Sequence, residues 1–252
     1  MNALYKEPIT LCDAQSCIQL VELADEYDAL VAVSPIIQIA ILEWNEWVEA
    51  LVCLPLEFLT LANKLESKIL FKEALIHAVG RLVEDSETFS GCEKGLPIET
   101  RCLLTDEIVA LQRRIQRITY ELLSLQVLEP SSRWDNETRL TAMMFWATLG
   151  GIIREAESGT TNHARLFRKI HNHRFLTDSQ LMNNSNQFSR PKIQSCFDIM
   201  VPAVKSRVSE FTKDCTTFTV GQELDYLTCI EVSDDKLPWM KVNSTQHLIA
   251  SY

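Results

Sequence analysis

Glycine is scarce in this chain, at seven of 252 residues. A nucleotide-cradling α/β enzyme needs glycines at its tight strand-to-helix turns, so the scarcity argues against that class. The stretch "GCEKG" has neither the length nor the Lys-Ser/Thr of a phosphate loop, and no G-x-S-x-G elbow occurs. None of the eight cysteines (Cys12, Cys17, Cys53, Cys92, Cys102, Cys196, Cys215, Cys229) forms a C-x-x-C pair. A disulfide framework and a zinc site are both disfavoured, and no metal or cofactor is expected. The longest apolar stretch, 29–42, is interrupted by Ser34, Pro35 and Gln38 and is too short to span a bilayer. The N-terminus "MNALYKEPIT" lacks a signal-peptide core, so an intracellular, cytoplasmic or nuclear protein is expected. Positive charge is also short. With 24 Lys and Arg against 34 Asp and Glu, the net charge of -10 disfavours nucleic acid and anionic membranes as partners.

What is present is a globular mixture, 46% hydrophobic and 23% charged, with helical periodicity almost throughout. The expected fold is mainly α, a multi-helix array in two halves, with room for a small C-terminal β-hairpin. Asp13 reads as the N-cap of a first helix, Pro35 as the first turn of a second, Pro55 as the start of a third and Ser67 as the cap of a fourth. These four occupy a first region, 1–84. The segment 85–103, "EDSETFSGCEKGLPIETRC" with its neighbours, reads as a loop linker. The second region, 104–252, opens with a long helix capped at Thr105. Its apolar positions Ile108, Leu111, Ile115, Ile118, Leu122 and Leu125 step by 3 and 4, a short heptad seam that favours packing within its own domain. Asp135 caps the next helix, where Met143, Met144, Phe145, Trp146 and Leu149 read as core, with a peptide groove as the alternative. The β-branched runs "TTFTV" and "YLTCIEV", joined across "GQELD", are the hairpin candidates.

Three stretches invite a chemical reading. Glu73, His77 and Arg81 are spaced four apart in "SKILFKEALIHAVGRL", so they share one helix face. A hydrolase or transferase built on them needs a solvent-reaching pocket and a nearby nucleophile. The apolar residues that nearly surround the same helix favour a structural row instead. His163, His171 and His173 cluster, but at a spacing that diverges on a helix. Arg165, Arg168, Lys169 and Arg174 form a basic cluster that reads as a solvated helix face. No catalytic residue is assigned.

The order of segments resembles the fungal BTB/POZ-domain-containing proteins. The matching stretches are "LVELADEYDALVAV", "PLEFLTLANKLESKILFKEALIHAVGRL", "LQRRIQRITYELLSLQV", "RLFRKIHNHRFLTDSQL" and "LDYLTCIEVSDDKLPWMKV". Of these, "LFKEALIHAVGR" and "YLTC…LPW" in this order are the most specific. In such proteins a BTB core precedes this material, and "LVELADEYDAL" resembles the late helix of that core. The chain therefore resembles a family member with most of its BTB core missing. The resemblance implies a non-catalytic adaptor for protein–protein contact, with a cullin-type ubiquitin ligase link by family analogy only. The alternatives are a truncated or non-functional family fragment and, behind it, the hydrolase or transferase built on Glu73, His77 and Arg81. Without the BTB strands, Trp44, Trp47, Val48 and Leu51 are expected to offer a partner surface or a site of self-association.

Overall fold

A computed structural model describes residues 13–85, 95–125, 135–159, 161–172, 190–218 and 223–240; for 190–196 only the backbone is described. The fold is mainly α, and among the described residues there is no strand. The helices are α1 (Ala14–Glu26), α2 (Leu30–Glu43), α3 (Trp47–Cys53), α4 (Pro55–Lys64), α5 (Lys68–Glu84), α6 (Ile98–Ser124), α7 (Asn136–Glu157), α8 (His163–His171) and α9 (Arg190–Val208). Short 3₁₀ turns at Ser209–Phe211 and Asp234–Lys236 follow. Two compact units result. The first comprises Met1–Val109, Cys215–Glu223 and Ile230–Tyr252; the second, Ala110–Asp214 and Leu224–Cys229. The first crossing between the units falls inside α6, after Val109; residues 86–94 of the expected 85–103 linker lie outside the described residues. Residues 98–103 are helical, and Thr100 and Leu103 are buried.

In the first unit, α4 packs along α5, α1 packs on α2 and α4, and α3 touches both α4 and α5. Asp13 caps α1, its carboxylate accepting from the Ser16 backbone N–H at 2.7 Å. That bond holds the Asp13 carboxyl below the usual range. α1 ends in a Schellman motif: the Ala29 N–H donates to the Ala24 carbonyl and the Asp28 N–H to the Asp25 carbonyl. Asp28 sits there at φ 52, a position that favours glycine. α4 ends the same way, with Glu66 at φ 50 and the Ser67 N–H on the Ala62 carbonyl. Pro55 is the first residue of α4, as expected. Ser67 occupies the N-cap position of α5 without a side-chain capping bond, and it is buried.

Pro35 departs from expectation: it lies inside α2, which begins at Leu30. A proline there forfeits the bond to the Val31 carbonyl, and Val31 is highly exposed, where water can replace it. The helix expected to open at Pro35 is also ended at Trp44, whose ψ of 114 is extended.

The second unit gathers the lower part of α6 with α7, α8 and α9. α9 packs on α7 and α8, and α7 on α8. The seam residues Leu111, Ile115, Ile118, Leu122 and Leu125 are all buried; Ile108, in the first unit, is half-buried. Phe145, Leu149, Phe167 and Phe211 complete the core, the last two rings stacked at 4.5 Å; Met143, expected in the core, is exposed, and Met144 and Trp146 are half-buried. Asp135 caps α7 through the Thr138 N–H at 2.8 Å, and Asn162 caps α8 through the Arg165 N–H at 2.8 Å. Thr105 does not start a helix. It lies within α6, its hydroxyl donating to the Arg101 carbonyl one turn back. The run 226–232 forms no strand, yet 226–230 is buried. Residues 219–222 of the candidate hairpin lie outside the described residues.

Candidate functional site

Glu73, His77 and Arg81 do share a face of α5, sealed at Glu73 and His77 and half-buried at Arg81. Glu73 is 2% exposed and His77 fully buried, in a helix that buries 11 of its 17 residues. The Glu73 Oε1 accepts the Thr217 backbone N–H at 2.5 Å. Its carboxylate thereby satisfies an irregular segment that has no ladder partner. Arg81 Nη1 donates to the Val52 and Cys53 carbonyls at 2.8 and 2.9 Å, closing the C-terminus of α3. Those are orphan carbonyls of a helix end, and a guanidinium is well suited to them. General acid–base chemistry needs a group within reach of substrate. A histidine with no exposed surface at the centre of the row offers none in this arrangement.

The residues expected to form a partner surface divide. Trp47 and Leu51 are core, with the Trp47 ring edge-on to Phe218 at 4.7 Å; Trp44 and Val48 are half-buried. The helix α3 turns its apolar side inward, so these four do not constitute an open patch.

The basic residues on α8 are engaged as well as partly solvated: Arg165 is exposed, and Arg168 and Lys169 are half-buried. Arg165 pairs with Asp225 at 2.7 Å, and the Arg168 guanidinium donates to the Leu224 carbonyl and, at 3.1 Å, to that of Tyr226. From α6, Arg114 donates to the Cys229 carbonyl at 3.3 Å and to Glu210 at 3.4 Å, with its guanidinium 5.4 Å from the Phe211 ring centre. A buried segment without secondary structure must still satisfy its carbonyls, and here arginines do so. In the first unit the tail is held by lysines: Asp234 bridges Lys68 and Lys72 at 3.2 and 2.6 Å, and Lys236 meets Glu107 at 2.6 Å. Asp234 also offsets two positive charges at the positive end of α5. The Lys72 and Lys68 ammonium groups hold its carboxyl below the usual range. The ring of Phe71 stands edge-on to Trp239 at 5.2 Å.

His163 and His171 sit at opposite ends of α8; His173 and Arg174 lie outside the described residues. Among the described residues no three His, Cys, Asp or Glu side chains gather as a metal-holding group, and no helix is long and apolar enough to cross a membrane. Cys17 is buried, and that burial pushes its thiol up to about 12, so it is an unreactive small apolar residue.

One surface emerges that the sequence pattern did not announce. On α2, Val31, Pro35, Ile39 and Leu42 face outward, Val31 at 93% and Ile39 at 56% exposure. Placing the helix start at Pro35 hides this stripe, because Val31 then falls outside the helix and the recurrence at 31, 35, 39 and 42 is lost. Comparison with known protein families, with characterised proteins and with solved structures finds no match.

Proposed function

We propose that the chain is a non-catalytic protein-interaction module, an adaptor of the kind that its resemblance to fungal BTB/POZ-domain proteins implies, working inside the cell. The observation that carries this reading is the exposed apolar stripe of α2, since contiguous exposed apolar residues on a helix mark contact surfaces. Two further facts support it. The row most like an active site is occupied in holding backbone and filling core. The two most specific stretches of the resemblance also meet, through Phe71 with Trp239 and Lys72 with Asp234. Self-association through Trp44, Trp47, Val48 and Leu51 is not carried forward, because Trp47 and Leu51 belong to the core. A cullin-type ligase subunit is the first partner to try, by family analogy.

The test uses the purified full chain. Proteins captured from a fungal lysate are re-expressed, and direct binding is measured by calorimetry. The same preparation is screened against chromogenic ester, phosphate and glycoside substrates. The expected result is a purified partner that binds at defined stoichiometry, with no turnover. Turnover that His77→Ala abolishes, together with no directly binding partner, would overturn the reading.

A further inference from the structure

We propose that the outer face of α2 is the docking surface for a basic amphipathic helix of a partner protein. The inference rests on the reading of the chain as an interaction module and names the chemistry of its partner. α2 is built the wrong way round for a free surface helix. Its polar residues turn inward: Ser34 Oγ and Gln38 Nε2 each donate to the Leu65 carbonyl at 3.0 Å, and Gln38 also donates to Ser34 at 2.9 Å. Val33, Ile37, Ala40 and Ile41 are buried beside them. What is left for solvent is Val31, Ala32, Pro35, Ile39 and Leu42, with Glu43 the polar residue at the end. Positions 31, 35, 39 and 42 follow the helical repeat and make one stripe about 16 Å long. A surface helix ordinarily carries polar residues on that side. The inverted pattern is that of a helix meant to be covered.

Charge selects what covers it. From residue 13 to residue 63 the chain has nine acidic residues and no lysine, arginine or histidine. Exposed Asp28 precedes α2, and exposed Glu43 and Glu46 close and follow it. A second copy seated symmetrically on the same face brings acid against acid, which disfavours a homodimer there. Anionic lipid and nucleic acid meet the same repulsion. A helix with an apolar stripe flanked by lysine or arginine satisfies both the stripe and its acidic surround, in the helix-against-apolar-surface mode of peptide recognition.

The experiment measures binding of two labelled 18-residue helical peptides to the full chain by fluorescence anisotropy. Both share one leucine pattern; one carries lysine on its polar face, the other glutamate. The lysine peptide is expected to bind, several-fold more weakly at high than at low salt, and the glutamate peptide is expected not to bind. Val31→Ser with Ile39→Ser is expected to weaken lysine-peptide binding tenfold or more. Tyr120→Ser with Met143→Ser, which removes exposed apolar groups of the second unit, is expected to leave it unchanged. Asp28→Asn with Glu43→Gln and Glu46→Gln, chosen to alter charge without altering packing, is expected to weaken binding several-fold. Equal binding of the two peptides, or binding indifferent to Val31 and Ile39, would overturn the proposal. So would sedimentation as a dimer that the Val31 and Ile39 changes split. A natural partner that binds the doubly changed chain as well as the unchanged one overturns this face alone. Turnover with no partner at all overturns the interaction reading beneath it.

Discussion

Helix α5 of the first unit and helix α8 of the second unit are alike in composition, since each carries histidine and several basic residues among apolar ones. They differ in how deeply the polar side chains are taken into the core. α5 buries 11 of 17 residues, Glu73 and His77 among them. α8 buries Ala164, Leu166, Phe167 and Ile170 on one side and sends Arg165 and Arg168 to the segment 224–226. In α5 the sealed side chains are Glu73 and His77, while Lys68, Lys72 and Arg81 hold neighbouring segments much as Arg165 and Arg168 of α8 do, so the helices differ in which polar side chains they seal and which they leave to clasp. The pattern of the surrounding apolar residues, all round or on one stripe, decides which.

The difference can be broken experimentally, beginning with packing. Phe71→Ala removes a fully buried ring from α5 and its edge contact with Trp239, and is expected to cost about 3–5 kcal/mol in urea unfolding. A loss below about 1 kcal/mol would mean that α5 is not the core helix described. In the second unit, Arg168→Ala leaves the Leu224 and Tyr226 carbonyls without their guanidinium donor, at a cost of about 2–3 kcal/mol by the same measurement. Arg168→Lys recovers part of that at most, because one ammonium does not reproduce the guanidinium fork. Lys64→Ala, which removes a partly exposed pair with Asp25, is expected to cost less than about 1 kcal/mol and sets the scale for an ordinary surface bridge. Glu66→Gly has the opposite sign. Relief of a positive φ is expected to stabilise the first unit by about 0.5–1 kcal/mol, visible as a raised melting temperature.

The smallest effect is one of pH. Asp234 has its folded pKa depressed by Lys72 and Lys68, so its contribution is present above the ordinary aspartate value of about 4 and fades as pH falls below that, through the folded value. The difference in urea midpoint between the unchanged chain and Asp234→Asn should be seen at pH 7 and shrink below about pH 4. A difference that grows on acidification would contradict the clamp.

How much of this was legible follows from distance along the chain. Asp13, Asp135 and Pro55 mark helix starts through bonds or angles within three residues, and all three could be read directly. The heptad steps of α6 gave its buried seam for the same reason. Pro35 misled because a proline inside a helix is admissible where the forfeited carbonyl reaches water. That moved the helix start and concealed the α2 stripe. The run "YLTCIEV" has strand composition, but the donors to the carbonyls of residues 224, 226 and 229 are arginines 56 to 115 residues away, so no local pattern announces them. Trp47 and Leu51 read as open surface only on the premise of missing neighbours; Phe218, far along the chain, covers the tryptophan.

On this reading the Glu73–His77–Arg81 row is structure, sealed at Glu73 and His77, while the proposed contact surface lies on α2. Hydrogen–deuterium exchange of the full chain, read by mass spectrometry, tests both halves at once. The amides around His77 are expected to be among the slowest in the first unit, and the lysine peptide is expected to protect the α2 segment while leaving α5 unchanged. Rapid exchange around His77, or protection that appears in α5 rather than α2, would contradict it.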